Sequence, residues 1–225
     1  MHAHAMPLPA PSPAQFPESI ASGYDALADE YTRRIYRELN DKPFDRGFLD
    51  RLAALLQRQD LVVDLGCGPG HVGRYLQDRG VRVCGVDISP RMVELAVQQN
   101  PGMAFLCADM RAPVFADESI GAIAACYSII HIPQANLKTI FDEMFRVLRP
   151  GGLLALAFHR GDKVVRVDEL WGIQVQIDFC FFELAPVCRT LSEAGFGVLE
   201  AAEREPYGAS VEAQTRRGYV LAQRP

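Results

Sequence analysis

The apolar positions of this chain change their period along its length. Between Tyr24 and Tyr36 they recur at 24, 27, 28, 31 and 35, one stripe of a helix. Ser22 is placed to cap that helix, and Asp25 falls in its first turn, where the dipole favours an acid. Lys42-Pro43 interrupts the pattern, and 44–58 predicts a second amphipathic helix with Phe48, Leu52, Leu55 and Leu56 on one side. Short apolar runs then alternate with helical periods. Strands are predicted over 61–65, 81–86, 103–106, 120–126 and 153–158, with helices over 71–78, 90–100 and 136–148 between them. Ser89-Pro90 supplies a cap followed by proline in the first turn, and Gly80, Pro101-Gly102 and Gly151-Gly152 end elements. Strand–helix alternation with near-continuously apolar strands predicts an α/β fold: a mostly parallel sheet covered by helices on both faces, a three-layer αβα sandwich.

After His159 the rhythm breaks. Val175, Ile177, Phe179 and Phe181 alternate with polar neighbours, which predicts an inserted strand or lid with one apolar face inside the segment 161–182. A helix over 186–194 and two antiparallel strands, 196–202 and 218–222, complete the chain. Residues 1–20, with prolines at 7, 9, 11, 13 and 17, are expected to be a flexible tail, and 21–225 a single domain whose first helices, 22–58, lie over a ligand. The tail has neither the basic start nor the apolar centre of a signal peptide. His2 and His4 are read as part of the tail rather than a metal site.

Composition narrows the function classes. With 49% hydrophobic and 23% charged residues the chain is globular, and no apolar run reaches the roughly 18–20 residues of a membrane span. A net charge of −5 without a basic stripe makes a nucleic-acid partner unexpected. The six cysteines, 67, 84, 107, 126, 180 and 188, form no C-x-x-C pair. That is expected of free thiols in a reducing cytoplasm rather than of disulfides or a zinc site.

The chemistry concentrates at Val63-Asp64-Leu65-Gly66-Cys67-Gly68-Pro69-Gly70, between a predicted strand and a helix. Glycines at a strand exit let a ligand approach the backbone. Gly68, Gly70 and Gly73 also match the dinucleotide pattern G-x-G-x-x-G, and Asp87 ends the next strand where a ribose-binding acid sits in either reading. Two residues oppose a diphosphate there. Asp64 would repel it, and Pro69 has no N–H to offer. S-adenosylmethionine fits better, because it has an ammonium, a ribose diol and no phosphate.

Four motifs follow in order: D-x-G-C-G-P-G from Asp64, V-D-I-S from Val86, C-A-D-M from Cys107 and L-R-P-G-G from Leu148. Together they resemble the class I S-adenosylmethionine-dependent methyltransferases of small-molecule type, over roughly residues 24–158. The resemblance implies a Rossmann-like, seven-stranded, mostly parallel sheet with an antiparallel last strand. It implies that Asp64, Gly66, Cys67 and Gly68 underlie the methionine portion of S-adenosylmethionine, with Gly70 turning into the helix. It implies that Asp87 takes both ribose hydroxyls, that Ile88 and Met92 neighbour the adenine, and that Ala108, Asp109 and Met110 flank it. Cys126 and Tyr127 would lie beside the sulfonium, and Tyr24 and Tyr31 in a segment folded over the cofactor. Plainer readings stay open: a tight turn for the glycines, a helix-leading acid for Asp87, a turn residue for Asp109, and helix packing for the two tyrosines.

Methyl transfer needs a base only if the acceptor must lose a proton. His131, in the loop after the fourth strand, is the expected catalytic base; His159, ending the fifth, is a lesser candidate, and local hydrogen bonding is the alternative for both. The stretch Ala125-Cys126-Tyr127-Ser128 lacks the N-P-P-aromatic motif of amide-nitrogen methylation, and no acidic cluster follows it to hold magnesium. Trp171, Phe179, Phe181 and Phe182 are candidates to line an apolar acceptor pocket, or else core or dimer contacts. The expected function is methyl transfer to a small-molecule acceptor, yielding S-adenosylhomocysteine, in a protein for which a homodimer is possible. The alternatives are methylation of RNA or protein, non-catalytic sensing of S-adenosylmethionine, and, last, an NAD-dependent dehydrogenase.

Overall fold

The computed structural model describes residues 16–112 and 114–225, with side chains from residue 20 onward. The elements are α1 (Phe16–Ile35), α2 (Pro43–Leu55), β1 (Leu61–Leu65), α3 (His71–Gln77), β2 (Arg82–Asp87), α4 (Pro90–Gln99), β3 (Ala104–Cys107), β4 (Ile120–Cys126), α5 (Leu137–Val147), β5 (Leu148–His159), β6 (Val164–Leu170), β7 (Ile173–Cys180), α6 (Leu184–Glu193), β8 (Gly197–Arg204) and β9 (Arg217–Gln223). A 3-10 turn, Glu38–Asp41, joins α1 to α2. Most of the predicted tail lies outside the described residues. Its last five residues, however, are helical: α1 starts at Phe16, so Ser22 lies within the helix and does not cap it.

The seven-stranded sheet has the order β3-β2-β1-β4-β5-β9-β8, and only β9 runs against its neighbours. Five parallel strands wind outward from β1 and β4, and the order reverses between these two. There the carboxyl ends of the strands part into a crevice. Phe48 and Leu52 of α2 and Val72 and Leu76 of α3 pack on one face of the sheet. Phe141 and Met144 of α5 and Leu191 of α6 pack on the other. Among the described residues no helix is long and apolar enough to cross a membrane.

The expected inserted strand is a separate two-stranded hairpin, β6–β7. β6 escaped the periodicity because Arg166, Asp168 and Glu169 occupy a strand that packs lightly and is half exposed. Val175 and Ile177 of β7 press on Leu27 of α1, so the hairpin props the first helix over the sheet's open end.

Candidate functional site

The segment between β1 and α3 is shaped by three glycines, Gly66, Gly68 and Gly70, with φ of 74°, 51° and 81°. These are left-handed values that a side chain disfavours. A Cβ on Gly66 would stand 2.3 Å from Ser128 Cβ at the exit of β4. Backbone N–H groups of Gly66 and Cys67 both donate to Val86 O, at 2.7 and 3.0 Å, which pins the loop to β2. Gly70 serves packing instead: a Cβ there would meet Asn100 Nδ2 at 2.7 Å and Phe105 Cζ at 2.9 Å. It does not line the cavity, in contrast to the other residues expected to hold the donor and to His131.

That cavity, of about 260 Å³, opens at the carboxyl ends of β1, β2 and β4. Asp64 and Asp87 line it, 2% and 9% exposed. Asp64 accepts the Gly73 N–H at 2.8 Å, and burial pushes its carboxyl up to about 6. Asp87 accepts N–H groups of Gly68 at 2.7 Å and Ser89 at 2.9 Å, and burial raises it as well. Neither forms an ion pair with an arginine or lysine among the described residues. An ionised carboxylate takes about four hydrogen bonds, so Asp87 keeps lone pairs for a vicinal diol. Ser128 Oγ is buried on the same wall with no partner. Two buried acids without an arginine or lysine partner, bare backbone and an orphaned hydroxyl suit S-adenosylmethionine and oppose a diphosphate.

Ile88, Met92, Ala108 and Met110 supply an apolar slot at one end. Asp109 stands at its rim, held by the backbone N–H of Arg111 at 2.9 Å and its Nη2 at 2.5 Å. Arg111 was not anticipated.

At the opposite side Cys126 and Tyr127 end β4. Tyr127 has φ 55°, an unfavourable value for a bulky residue that costs about 1–3 kcal/mol. Its surroundings hold it there. Its N–H donates to Ala157 O at 2.7 Å, its hydroxyl donates to Asp45 Oδ1 at 3.2 Å, and Lys42 and Arg217 lie over its ring at 5.5 and 5.4 Å.

Tyr24 and Tyr31 of α1 also reach the cavity, their rings edge to face at 5.8 Å. Tyr24 OH is 2.8 Å from His131 Nε2, and His131 Nδ1 is 3.1 Å from Asp178 O. A carbonyl only accepts, so Nδ1 carries the ring proton and Nε2 accepts from the tyrosine. Burial holds His131 down to about 4 and raises Tyr24 well above a free phenol, with Asp87 adding to the latter. His159 lies outside the cavity wall. Its Nδ1 accepts from Thr215 Oγ1 at 2.8 Å and stands 3.0 Å from the Arg217 guanidinium, while its ring stacks on Phe181 at 5.2 Å. It is thus committed to structure.

The aromatic residues of the hairpin segment do not line the cavity either. Phe179 packs on His131, Phe182 on Phe158, and Trp171 beside Tyr31. They take the packing role that was their alternative reading, and the wall comes from the 3-10 turn, α2 and β9: Glu38, Leu39, Asp45, Phe48, Leu49 and Tyr219. Phe48 was legible only as a core stripe, and nothing local marks Glu38, Asp45 or Tyr219.

Residues 62–152 match the family model described as "Methyltransferase domain". The chain is 28% identical to a malonyl-[acyl-carrier protein] O-methyltransferase of Enterobacter lignolyticus, over 68% of this chain and 59% of that protein. It is 30% identical to a demethylmenaquinone methyltransferase of Beutenbergia cavernae, over 71% of this chain and 66% of that protein. The match therefore spans about three fifths to two thirds of the length of these relatives. Among solved structures, the 1,6-didemethyltoxoflavin-N1-methyltransferase of Burkholderia thailandensis, with bound 1,6-didemethyltoxoflavin and S-adenosylhomocysteine, superposes with a TM-score of 0.70. Identity there is 16%, covering 97% of this chain and 93% of that one.

Proposed function

The chain belongs to the class I S-adenosylmethionine-dependent methyltransferases, and we propose that it transfers the methyl group of S-adenosylmethionine to a small-molecule acceptor by in-line displacement. The observation that carries this reading is the pair of buried carboxylates, Asp64 and Asp87, without an arginine or lysine partner, flanking bare glycine backbone in one cavity. When bound, S-adenosylmethionine supplies an electrophilic methyl on a sulfonium.

The chain's own residues do the rest. Asp87 orients the ribose through lone pairs that Gly68 and Ser89 leave free. The loop of Gly66 to Gly68 lets the amino-acid portion lie on backbone, with Asp64 as the nearest carboxylate. The β4 exit at Cys126 and Tyr127 walls the reacting atoms, and α1, seated by Tyr24 and Tyr31, excludes water.

His131 is the base of this reading, acting through Tyr24. The acceptor's proton passes to the Tyr24 oxygen as the Tyr24 proton passes to His131 Nε2, along their 2.8 Å contact. Asp178 O keeps the ring in the tautomer that this transfer needs. Free thiols at all six cysteines support a cytoplasmic location.

Calorimetric titration with S-adenosylmethionine, S-adenosylhomocysteine and NAD tests the donor site. Binding of the first two and not the third is expected, and the reverse refutes the reading. For the base, His131→Ala and Tyr24→Phe are expected to lower kcat on an identified acceptor at least about tenfold, the low end for one acid–base group. Unchanged turnover in both variants removes His131 from the chemistry.

A further inference from the structure

Past the residues assigned to the donor, the cavity continues toward the 3-10 turn, α2 and the tip of β9. Leu39, Phe48, Leu49 and Val72 make that chamber apolar. Its acids and tyrosines share one property: they present lone pairs. Arg204 Nε donates to the Tyr219 oxygen at 2.8 Å, and Tyr219 spends its proton on Asp45 Oδ1 at 3.0 Å. Tyr127 spends its own proton on the same oxygen at 3.2 Å. Glu38 accepts from Lys42 Nζ at 2.7 Å and from His71 Nε2 at 3.3 Å, two of about four possible bonds. Nδ1 of His71 is a further buried polar atom without a partner.

The cations that balance these acids stand outside the cavity wall. Lys42 is 4% exposed and lies between Glu38 and Glu212; Arg204 is shared by Asp45 and Glu212; Arg217 is 2% exposed. The one arginine or lysine that lines the cavity among the described residues is Arg111, closed on Asp109 at the adenine end. A carboxylate brought into the chamber would face Glu38 and Asp45 with no arginine or lysine of the lining free to receive it. A protonated or N–H-bearing nitrogen would meet the carboxylate lone pairs that Glu38 keeps free.

We propose that this chamber selects acceptors by charge: it takes a compact apolar molecule bearing a hydrogen-bond-donating, positively charged nitrogen, an amine or a protonated nitrogen heterocycle, and rejects carboxylates. The inference rests on reading the cavity as a methyl-transfer site, and it holds whichever atom receives the methyl. Glu38 is the specificity-determining residue, because its free lone pairs face an apolar wall in which an unpaired charge is costly.

The test uses the full chain saturated with S-adenosylhomocysteine. Three probes of similar shape, 2-phenylethylamine, 2-phenylethanol and phenylacetate, are titrated into wild type and Glu38→Gln. The amine is expected to bind at least about tenfold tighter than phenylacetate, and Glu38→Gln to weaken it about tenfold, the size of one charge-assisted hydrogen bond. S-adenosylhomocysteine affinity should stay within about twofold, since Glu38 lies outside the donor set. Equal or tighter binding of phenylacetate or phenylethanol overturns the proposal, as does failure of the amine to bind. Loss of S-adenosylhomocysteine affinity in Glu38→Gln that equals the loss of amine affinity also overturns it, by assigning Glu38 to the donor. If Glu38→Gln does not fold, the ranking of the three probes on wild type decides. Failure of S-adenosylhomocysteine to bind wild type is a different result, which overturns the proposed function itself.

Discussion

Buried carboxylates are costly unless something ionic or hydrogen-bonding completes them, and Asp64 and Asp87 are left incomplete by the protein alone. Asp87→Ala should therefore weaken S-adenosylhomocysteine by about 2 kcal/mol or more, roughly thirtyfold, from loss of charge-assisted bonds to the ribose. Calorimetry at neutral pH measures it. Asp64 makes a pH prediction with two signs. In the free protein its pKa is raised to about 6, so this group alone stabilises the fold fully below about 4 and loses that contribution as pH rises through 6. A bound ammonium favours the ionised form, so donor affinity should be flat above about pH 7 and fall as pH drops through 6. Titrations between pH 5 and 8 check this, and Asp64→Asn should flatten the profile. The residues around the donor were legible in sequence because strand exit, glycine and acid are neighbours along the chain. Glu38, Asp45 and Tyr219 were not. Asp45 becomes a buried wall residue only through Arg204, 159 positions away, and Tyr219, 174 away.

At the scale of elements, α4 is set by a single cap that also ties it to α1. Ser89 Oγ accepts the Met92 N–H at 3.0 Å and donates to Asp25 Oδ1 at 2.5 Å. Ser89→Ala should cost about 1 kcal/mol in thermal or denaturant unfolding, the usual worth of such a cap. The hairpin β6–β7 has an equally concrete role. Ile177, fully buried against Leu27, joins it to α1 without touching the cavity. Ile177→Ala should cost about 2–4 kcal/mol from the void it leaves. It should also weaken S-adenosylhomocysteine by loosening the helix that carries Tyr24 and Tyr31; unchanged affinity would mean that the hairpin does not seat α1. The hydrophobic period gave the five parallel strands, the two last strands and all but the edges of most helices. It missed β6, whose charged residues hide a strand, and it started α1 too late because a proline-rich run reads as coil, although Pro17 sits in the first helical turn where no N–H is required.

Across the whole molecule, charge is concentrated beneath the open end of the sheet, where Lys42, Asp45, Arg204, Glu212 and Arg217 are all nearly buried. Glu38 and Glu212 are held down to about 2 by their cationic partners, so their stability contribution is complete above about 5 and is lost as pH falls toward 2. His131 and His159, buried and held down to about 4 and 3, act in the same direction. They bind protons in the unfolded chain first, which erodes stability as pH falls below about 6.5. Stability by denaturant titration should therefore decline between pH 6 and 4, with Asp64 offsetting a part of the loss. The fold places this charged floor, the glycine loop and α1 around one cavity, and the family assignment gives that cavity its donor. A crystal structure of the protein with S-adenosylhomocysteine decides most directly whether the assignment holds in atomic detail. The ribose hydroxyls should lie within hydrogen-bonding distance of both Asp87 oxygens, with the amino-acid portion on the backbone of Gly66 to Gly68. A ligand bound elsewhere, or the diphosphate of NAD seated in that loop after a parallel soak, would contradict it.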